Sequence, residues 1–246
     1  MEFTRDDLLW GELSLLQPRT GPRVTVDTVL LAAFTRVKAR ERVLELGSAS
    51  GAVSLLLGWR FPEAEEILGL EIQEDLVSLA ARNAAENGLA DRVRFLPGDL
   101  RRMKELLPPE SRSVVVANPP YDEEGTGRPS PVRSEAVARH GLCCTLEDVV
   151  SGARWVLPTG GRFYVVIRAR RGAELLGRLR ENGLEPKRIR SVHPRPEKNA
   201  FLLLVQSTKG AGAGLVVEPP LFVADEKGAT SAECLRAYSK EGLSCP

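Results

Sequence analysis

VLELGSASG, residues 43–51, places a short apolar run directly before a turn of glycine, serine and alanine. A helical pattern through Leu55, Leu56 and Leu57 follows that turn, and the next apolar run, Ile67–Glu71, ends on an acid. Short apolar runs that alternate with longer helical patterns are typical of βα units on a parallel sheet. The stretch therefore predicts an α/β fold with a doubly wound, mostly parallel sheet.

The same alternation continues along the chain and predicts seven strands, at residues 43–46, 67–71, 93–96, 113–117, 163–167, 188–192 and 201–206. Further helical patterns lie at residues 73–87, 146–156 and 175–180. A short Pro-rich turn joins the last two strands, and its length permits an antiparallel hairpin but no helical crossover.

We expect three parts in the chain. Residues 41–210 are predicted to form the core that contains the sheet, residues 1–40 a small N-terminal cap, and residues 211–246 an extension packed on the core. Within the cap, Asp27 is the expected N-cap of a helix over Thr28–Val37.

The composition is typical of a soluble globular protein. The 246 residues are 43% hydrophobic and 27% charged, with 34 basic and 33 acidic side chains. No apolar run is long enough to span a bilayer, and the first ten residues carry acids where a secretory signal has basic residues. The four cysteines and two histidines lack the paired, short spacing of a zinc site. We expect a cytoplasmic protein that binds neither a membrane nor a metal.

Three acidic residues mark the ends of the first three predicted strands: Glu45, Glu71 and Asp99. Ligands of doubly wound sheets bind at the carboxyl ends of the strands, so these carboxylates are expected to converge on one ligand. Glu45 can hold a cationic amine, Glu71 the two hydroxyls of a ribose, and Asp99 an adenine amine. The alternatives are a ligand-free turn at residues 47–51, a solvated Glu71, and Asp99 as the N-cap of a short helix.

Asn118-Pro119-Pro120-Tyr121 follows the fourth predicted strand. The exocyclic nitrogen of adenine is a poor nucleophile because its lone pair is delocalised into the ring. The Asn118 side-chain oxygen and the Pro119 carbonyl can each accept one of its two hydrogens, which directs the lone pair away from the ring. The prolines hold both acceptors in place in advance, and Tyr121 can stack on an unpaired base. The alternative is a Pro-Pro turn that only ends a strand.

The tetrapeptide resembles the signature of S-adenosylmethionine-dependent amino-methyltransferases. Three further runs are similar to those of bacterial valine-tRNA adenine-N6-methyltransferases, namely Gly21–Asp27, Asn87–Arg92 and Lys187–Pro194. The resemblance covers roughly residues 8–225. It implies a class I, Rossmann-like methyltransferase fold and S-adenosylmethionine as the cofactor.

The resemblance also assigns the site. It implies a catalytic motif of Asn118, Pro119, Pro120 and Tyr121. The cofactor-binding residues that it implies are Asp27, Glu45, Leu46, Gly47, Ser48, Gly51, Glu71, Ile72, Asp99, Leu100 and Asn118.

Two positions depart from the pattern of that family. Ala49 takes the place of the central glycine in the usual Gly-x-Gly-x-Gly, and Pro22-Arg23-Val24 replaces an aromatic-rich Tyr-Arg-Phe. The added methyl group of Ala49 is expected to affect the affinity for the cofactor, and the second change the choice of substrate.

The basic residues are concentrated in one segment. Residues 162–209 hold twelve basic and four acidic side chains, a net charge of +8, so the rest of the chain carries −7. Such a segment suits phosphate contacts that position an RNA, although a charge run is also a common solvated face. The residues expected to bind RNA are Arg168, Arg170, Arg171, Lys187, Arg188, Arg190, His193, Arg195 and Lys198.

These observations predict an S-adenosylmethionine-dependent methyltransferase that modifies the N6 amine of an adenine in RNA, with tRNA as the expected partner. A protein glutamine N5-methyltransferase is one alternative, but about 40 N-terminal residues leave little room for its helical substrate domain. A ribosomal RNA guanine-N2-methyltransferase is a second alternative. In that class phenylalanine commonly stands at the position of Tyr121, so the tyrosine favours adenine as the target. The non-enzymatic alternative is a cofactor-binding RNA adaptor, which Ala49 leaves open. The sequence indicates no oligomeric state.

Overall fold

The computed structural model describes residues 2–20, 23–119 and 144–243 of the chain. The strands in these residues are β1 (Phe3–Leu8), β2 (Leu13–Pro18), β3 (Arg42–Leu46), β4 (Glu66–Glu71), β5 (Val93–Pro97), β6 (Val114–Ala117), β7 (Arg162–Arg168), β8 (Leu184–His193), β9 (Leu202–Lys209), β10 (Val216–Val217) and β11 (Leu221–Phe222). The α-helices are α1 (Val26–Phe34), α2 (Ala52–Arg60), α3 (Glu74–Glu86), α4 (Met103–Leu106), α5 (Leu146–Val156), α6 (Gly172–Glu181) and α7 (Ala232–Arg236).

Nine of the described strands form one sheet. Its order is β10-β8-β9-β7-β6-β3-β4-β5, and β11 also pairs with β8. Strands β3 to β7 are parallel to their neighbours among themselves, whereas β9 runs antiparallel to both β7 and β8. The structure thus confirms the mostly parallel, doubly wound sheet with seven main strands and an antiparallel C-terminal hairpin.

Helices cover both faces of this sheet. Val43 and Leu44 are adjacent in β3 and fully buried, but they belong to different hydrophobic clusters. Val43 packs with Leu30 of α1 and Leu55 of α2, whereas Leu44 shares its cluster with Val150 of α5. Alternate residues of a strand face opposite sides, so a strand that is apolar at every position requires a cover on each side.

The strand register brings four strand ends to one edge of the sheet. Leu46 of β3 lies opposite Leu70 of β4 on one side and Ala117 of β6 on the other. Leu96 of β5 lies opposite Leu70. The residues that directly follow these positions therefore lie side by side at the carboxyl edge, where ligands of such sheets bind.

The N-terminal residues form an antiparallel hairpin, β1 with β2, followed by α1. The expectation that Asp27 is the N-cap of a helix over Thr28–Val37 is wrong, because α1 begins at Val26 and ends at Phe34. Thr25 already supplies the extended residue before the helix, and its carbonyl accepts the N–H of Thr28 at 3.1 Å. Asp27 lies within the first turn.

The C-terminal residues extend the main sheet. β10 and β11 both pair in parallel with β8, at Arg188–Ile189 and at Val192–His193. Strands on both sides of position 210 belong to the same sheet. The expected division of the chain into a cap, a core and a C-terminal extension, at residues 40 and 210, therefore stays a prediction. None of the described helices is long and apolar enough to cross a membrane. No cluster of three metal-ligating side chains occurs in the described residues.

Candidate functional site

The turn between β3 and α2 has an unusual backbone. Gly47, Ala49 and Gly51 have φ values of 74°, 47° and 87°, all in the left-handed region that favours glycine. A Cβ atom at Gly47 would meet nothing within 4 Å, whereas one at Gly51 would lie 2.7 Å from the ring of Phe95. We name residues 47–51 the glycine loop. It is open to solvent at Gly47 and tightly packed where α2 begins.

Ala49 has a structural role in the glycine loop. Its side chain packs against the hydrophobic cluster of Leu16, Leu76 and Leu79. The methyl group that distinguishes this chain from the usual glycine pattern thus contributes to the contact between β2, α3 and the loop.

Glu71, the last residue of β4, holds the glycine loop. Its side chain is only 6% exposed, and its Oε2 accepts the N–H of Ala49 at 2.9 Å. Its Oε1 accepts the N–H of Gln73 at 3.0 Å. The predicted carboxylate at the strand end is therefore present beside the loop. The same Oε1 accepts a longer bond from the Gln73 side chain, at 3.4 Å. Because a carboxylate offers about four acceptor positions, these three bonds leave one for a ligand hydroxyl.

Glu45 lies beneath the loop and faces α2. It is 3% exposed, and its Oε2 accepts hydrogen bonds from the N–H and the hydroxyl of Ser54, at 2.9 and 2.5 Å. Burial raises the pKa of Glu45 to about 8, against the lowering effect of the Ser54 bonds. At neutral pH the carboxyl is mostly protonated. It supports the start of α2, which weighs against the hypothesis that it holds a cationic amine as an anion.

Asp99 follows β5 and caps the 3₁₀ turn Leu100–Arg102, as the alternative interpretation proposed. Its Oδ1 accepts the N–H of Arg101 at 2.9 Å. The Arg101 guanidinium also donates to both carboxylate oxygens, at 2.6 to 2.9 Å, and these bonds lower the pKa of Asp99. The carboxylate is partly exposed, but Arg101 already donates four hydrogen bonds to it, so an adenine amine would have to displace one of them.

Asn118 and Pro119 follow β6 directly and are half-buried. The Nδ2 of Asn118 lies 3.5 Å from the hydroxyl of Thr28, a buried residue of α1 next to buried Asp27. This contact places the side-chain amide of Asn118 beside the first turn of α1. The other two members of the motif, Pro120 and Tyr121, lie outside the described residues.

The remaining predicted cofactor residues lie at the same edge. Leu46 is the buried last residue of β3, Ile72 follows β4 and is half-buried, and Leu100 begins the turn after Asp99. Ser48 is buried, and its hydroxyl has no hydrogen-bond partner within the described part of the chain. The edge thus combines carboxylates, an amide and an open loop around one surface, which suits a nucleoside with several polar groups.

The predicted RNA-binding residues do not form one surface. Arg190 is 4% exposed and pairs with Glu233, while Arg188 pairs with Glu218 at 2.5 Å. The guanidinium of Arg188 also stacks on the ring of Phe34, 4.6 Å from its centroid. These two arginines hold the C-terminal residues to the sheet. Their pairing with carboxylates weighs against the prediction that they contact RNA.

Three further members of that set have internal partners. Lys187 donates to the carbonyls of Gly212 and Ala213, at 3.2 and 3.4 Å. Arg171 is mostly buried and pairs with Glu174 at 2.9 Å. Both ring nitrogens of His193 are engaged, by the Lys198 carbonyl and the Ser191 hydroxyl. His193 therefore stabilises the turn after β8.

Four of the predicted residues are exposed and lie at the carboxyl edge. Arg168 ends β7 opposite Leu202, and Leu202 lies opposite Val192, so the β8–β9 turn sits beside the end of β7. β7 is also the neighbour of β6, which leads into Asn118. We name this group the edge basic cluster: Arg168, Arg170, Arg195 and Lys198.

Sequence reasoning missed four residues that shape the site: Thr28, Ser54, Asn83 and Arg101. A signal existed for Asn83, because it is a polar residue at a buried position on the apolar face of α3. The other three are ordinary polar residues whose importance arises only from the tertiary contacts.

Comparison with known proteins identifies relatives. The family model described as a methyltransferase domain matches residues 37–186. A protein of Erwinia tasmaniensis named tRNA1(Val) (adenine(37)-N6)-methyltransferase is 33% identical over 67% of this chain and 66% of its own length. The chain thus aligns with just under two thirds of that relative. A protein of Dyadobacter fermentans with the same name is 22% identical over 92% of this chain and 94% of its own.

Solved structures show the same fold. A predicted O-methyltransferase from Agrobacterium tumefaciens superposes with a TM-score of 0.72 at 23% identity, covering 89% of this chain and 98% of its own. TrmN from Thermus thermophilus superposes with a TM-score of 0.54 at 23% identity, covering 75% of this chain and 48% of its own. The named relatives confirm the resemblance to bacterial valine-tRNA adenine-N6-methyltransferases.

Proposed function

The chain belongs to the methyltransferase domain family, and on that premise we propose that it transfers a methyl group from S-adenosylmethionine to the N6 amine of an adenine in tRNA. The observation that carries the proposal is the position of Asn118. It follows β6, the strand adjacent to β3, so it lies beside the glycine loop at the carboxyl edge. The names of the relatives support adenine as the target and tRNA as its carrier.

The residues at this edge fit the proposed cofactor. The loop leaves open space at Gly47, and the Glu71 carboxylate retains an acceptor position for a ribose hydroxyl. Asp99 would bind an adenine amine by exchanging one of the bonds that Arg101 donates to it. When bound, S-adenosylmethionine supplies a methyl group on a sulfonium, which an amine nitrogen can take up by in-line displacement.

The chain's own contribution is to hold and orient the amine. The Asn118 oxygen and the Pro119 carbonyl would accept its two hydrogens, which withdraws the nitrogen lone pair from the ring and directs it outward. The bond from Asn118 to Thr28 keeps the side-chain amide in one orientation. No basic side chain is required before transfer, because the amine becomes acidic once it has been alkylated.

The edge basic cluster supports RNA as the substrate. It places four positive charges around the end of β7, next to the strand that carries Asn118. Phosphate contacts of this kind position a nucleic acid without reading its sequence. A protein glutamine methyltransferase is less well supported. The names of the relatives give adenine in tRNA as the target, not a protein side chain.

The catalytic assignment is tested with Asn118→Ala in single-turnover methyl transfer to tRNA, with tRNA affinity measured on the same variant. Loss of a positioned hydrogen-bond acceptor is expected to slow transfer roughly 100-fold or more. The affinity for tRNA should stay close to that of the wild type. Transfer at the wild-type rate, or loss of tRNA binding with unchanged transfer in the bound complex, would contradict the role of Asn118.

The RNA surface is tested with the single charge reversal Arg170→Glu, at an exposed member of the edge basic cluster. The matched control is Arg154→Glu, an exposed arginine in the last turn of α5, at the opposite edge of the sheet. Each lost phosphate contact should reduce the slope of log affinity against log salt by about 0.7 to 0.9. The control should bind tRNA like the wild type. Equal losses in both proteins would show a general charge effect and contradict the cluster.

A further inference from the structure

The glycine loop is held by hydrogen bonds from three places. The N–H groups of Gly47 and Ser48 donate to the carbonyl of Leu70, at 2.9 and 3.0 Å. The Glu71 carboxylate binds the N–H of Ala49. The third bond comes from a different element: Nδ2 of Asn83, on α3, donates to the carbonyl of Ser50 at 3.0 Å.

Asn83 also binds the N-terminal hairpin. Its Oδ1 accepts the N–H of Leu16 at 2.8 Å, and its Nδ2 donates to the Leu16 carbonyl at 3.0 Å. The residue is only 1% exposed, so these bonds form away from water. The two hydrogens of Nδ2 are thus divided between Leu16 of β2 and Ser50 of the loop, which makes Asn83 the direct link between them.

Asn87, one turn later on α3, repeats half of this arrangement. Its Oδ1 accepts the N–H of Ser14 at 2.9 Å, and its Nδ2 donates to the Ser14 carbonyl at 2.7 Å. Its second donated bond goes to the backbone carbonyl of Asn83, at 2.7 Å. Asn83 and Asn87 therefore bind alternate residues of the same strand edge. Among the described residues, the Asn87 side chain bonds to Ser14 and Asn83 and not to the glycine loop.

An apolar contact joins the same parts. Leu16 packs with Leu76 and Leu79 of α3 and with the side chain of Ala49. The hairpin thus reaches the loop through a shared amide and through a shared hydrophobic cluster.

This support matters because the loop backbone is strained. Ala49 has a φ of 47°, and a non-glycine residue in that region costs about 1 kcal/mol or more. Such a conformation persists only where the surroundings hold it. If Asn83 is removed, the Ser50 carbonyl loses its side-chain donor, and the three hydrogen bonds that remain between the loop and β4 come from the Leu70 carbonyl and the Glu71 carboxylate.

We propose that Asn83 is a positioning residue for the cofactor: it couples the β1–β2 hairpin to the glycine loop and keeps the loop in its binding conformation. The inference rests on the proposed function, in which this loop binds S-adenosylmethionine. It adds that the N-terminal hairpin, which lies outside the methyltransferase domain match, supports the cofactor site.

The test compares Asn83→Ala with Asn87→Ala in the full chain. Calorimetric titration with S-adenosylhomocysteine gives the dissociation constant, and thermal unfolding gives the stability of each unliganded variant. Both substitutions detach one residue of β2, but only Asn83→Ala removes the bond to the loop. We expect Asn83→Ala to raise the dissociation constant about tenfold, the effect of one buried hydrogen bond, and Asn87→Ala to change it less than about threefold.

The outcomes distinguish failure of the proposed function from failure of the role of Asn83. If the wild type does not bind S-adenosylhomocysteine, the proposed function fails, and this inference fails with it. If the wild type binds and the two variants lose the same affinity, Asn83 acts only through hairpin attachment and the inference is overturned. Should Asn83→Ala not fold, Asn83→Leu fills the space of the side chain and can donate no bond to the Ser50 carbonyl. Affinity equal to that of the wild type in the leucine variant would also overturn the inference.

Discussion

Replacing Glu45 by glutamine should stabilise the protein at alkaline pH and have little effect at acidic pH. The Glu45 carboxyl is buried beneath the glycine loop and binds the N–H and the hydroxyl of Ser54. Glutamine is nearly isosteric, and its Oε1 can accept the same two bonds. The substitution therefore removes the ionisation of this residue without opening a cavity.

The magnitude follows from the pKa. Burial raises the pKa of Glu45 from 4.5 to about 8, so the unfolded chain releases this proton at lower pH than the folded chain does. Between these values the folded state binds more protons, and its free energy of unfolding falls as the pH rises. At about 1.4 kcal/mol per pKa unit, the ionised Glu45 lowers that free energy by roughly 5 kcal/mol at most above pH 8.

Urea unfolding at a series of pH values from 5 to 9 measures this effect. The difference in the free energy of unfolding between Glu45→Gln and the wild type should be small at pH 5, grow through neutral pH and level off above pH 8. Glu63→Gln, at an exposed position, is the control for the replacement of a carboxylate by an amide at the surface. A constant difference for Glu45→Gln would refute the reasoning, because it would mean that Glu45 titrates like a solvated carboxyl.

Substitutions at four further positions test the site. Gly51→Ala combines a positive φ with a Cβ atom 2.7 Å from a ring carbon and should lower the free energy of unfolding by about 2 kcal/mol or more. Gly47→Ala has only the positive φ, so the free energy of unfolding measured in urea should fall by about 1 kcal/mol. Calorimetric titration should show weaker binding of S-adenosylhomocysteine. Ala49→Gly relieves backbone strain but loses a packed methyl group, so the free energy of unfolding should change by less than about 1 kcal/mol. A decrease of more than about 2 kcal/mol would show that the packing of the methyl group outweighs the strain. Thr28→Val should slow methyl transfer about tenfold without changing cofactor affinity, and Thr28→Ser should restore the rate, because the hydroxyl orients Asn118. If the valine variant transfers at the wild-type rate, that orientation is not needed.

The sequence was sufficient to predict the main sheet because its strands are strongly apolar and end in distinct turns. Residues 146–156 form the predicted helix α5, and Gly88 has the left-handed conformation expected after α3, with a φ of 65°. The hairpin β1–β2 was missed because Phe3–Leu8 is mostly polar and alternates only weakly. Its folding depends on α3, whose two asparagine side chains bind the edge of β2.

The site was predictable where chemistry and strand ends coincide. Glu71, Asp99 and Asn118 all follow from their positions at the ends of parallel strands, and the structure brings them to one edge. Glu45 shows the limit of that reasoning. It lies within the strand, so its side chain faces α2, and its burial changes its protonation state.

The basic segment was the least predictable feature. A count of charges along residues 162–209 does not include Glu218 and Glu233, which lie 30 and 43 residues after Arg188 and Arg190. Their pairing turns two expected RNA contacts into anchors for the C-terminal extension. Only the exposed members of the segment remain in the proposed RNA surface.

The most direct test of the account is the chemical identity of the product. Purified protein is incubated with methyl-labelled S-adenosylmethionine and, in parallel, tRNA, ribosomal RNA, DNA and protein lysate, and each product is digested and analysed by mass. We expect label in tRNA alone, as N6-methyladenosine, formed roughly 100-fold or more slowly with Asn118→Ala. Label in protein as methylglutamine, in ribosomal RNA as N2-methylguanosine, or in no substrate despite measured cofactor binding would contradict it.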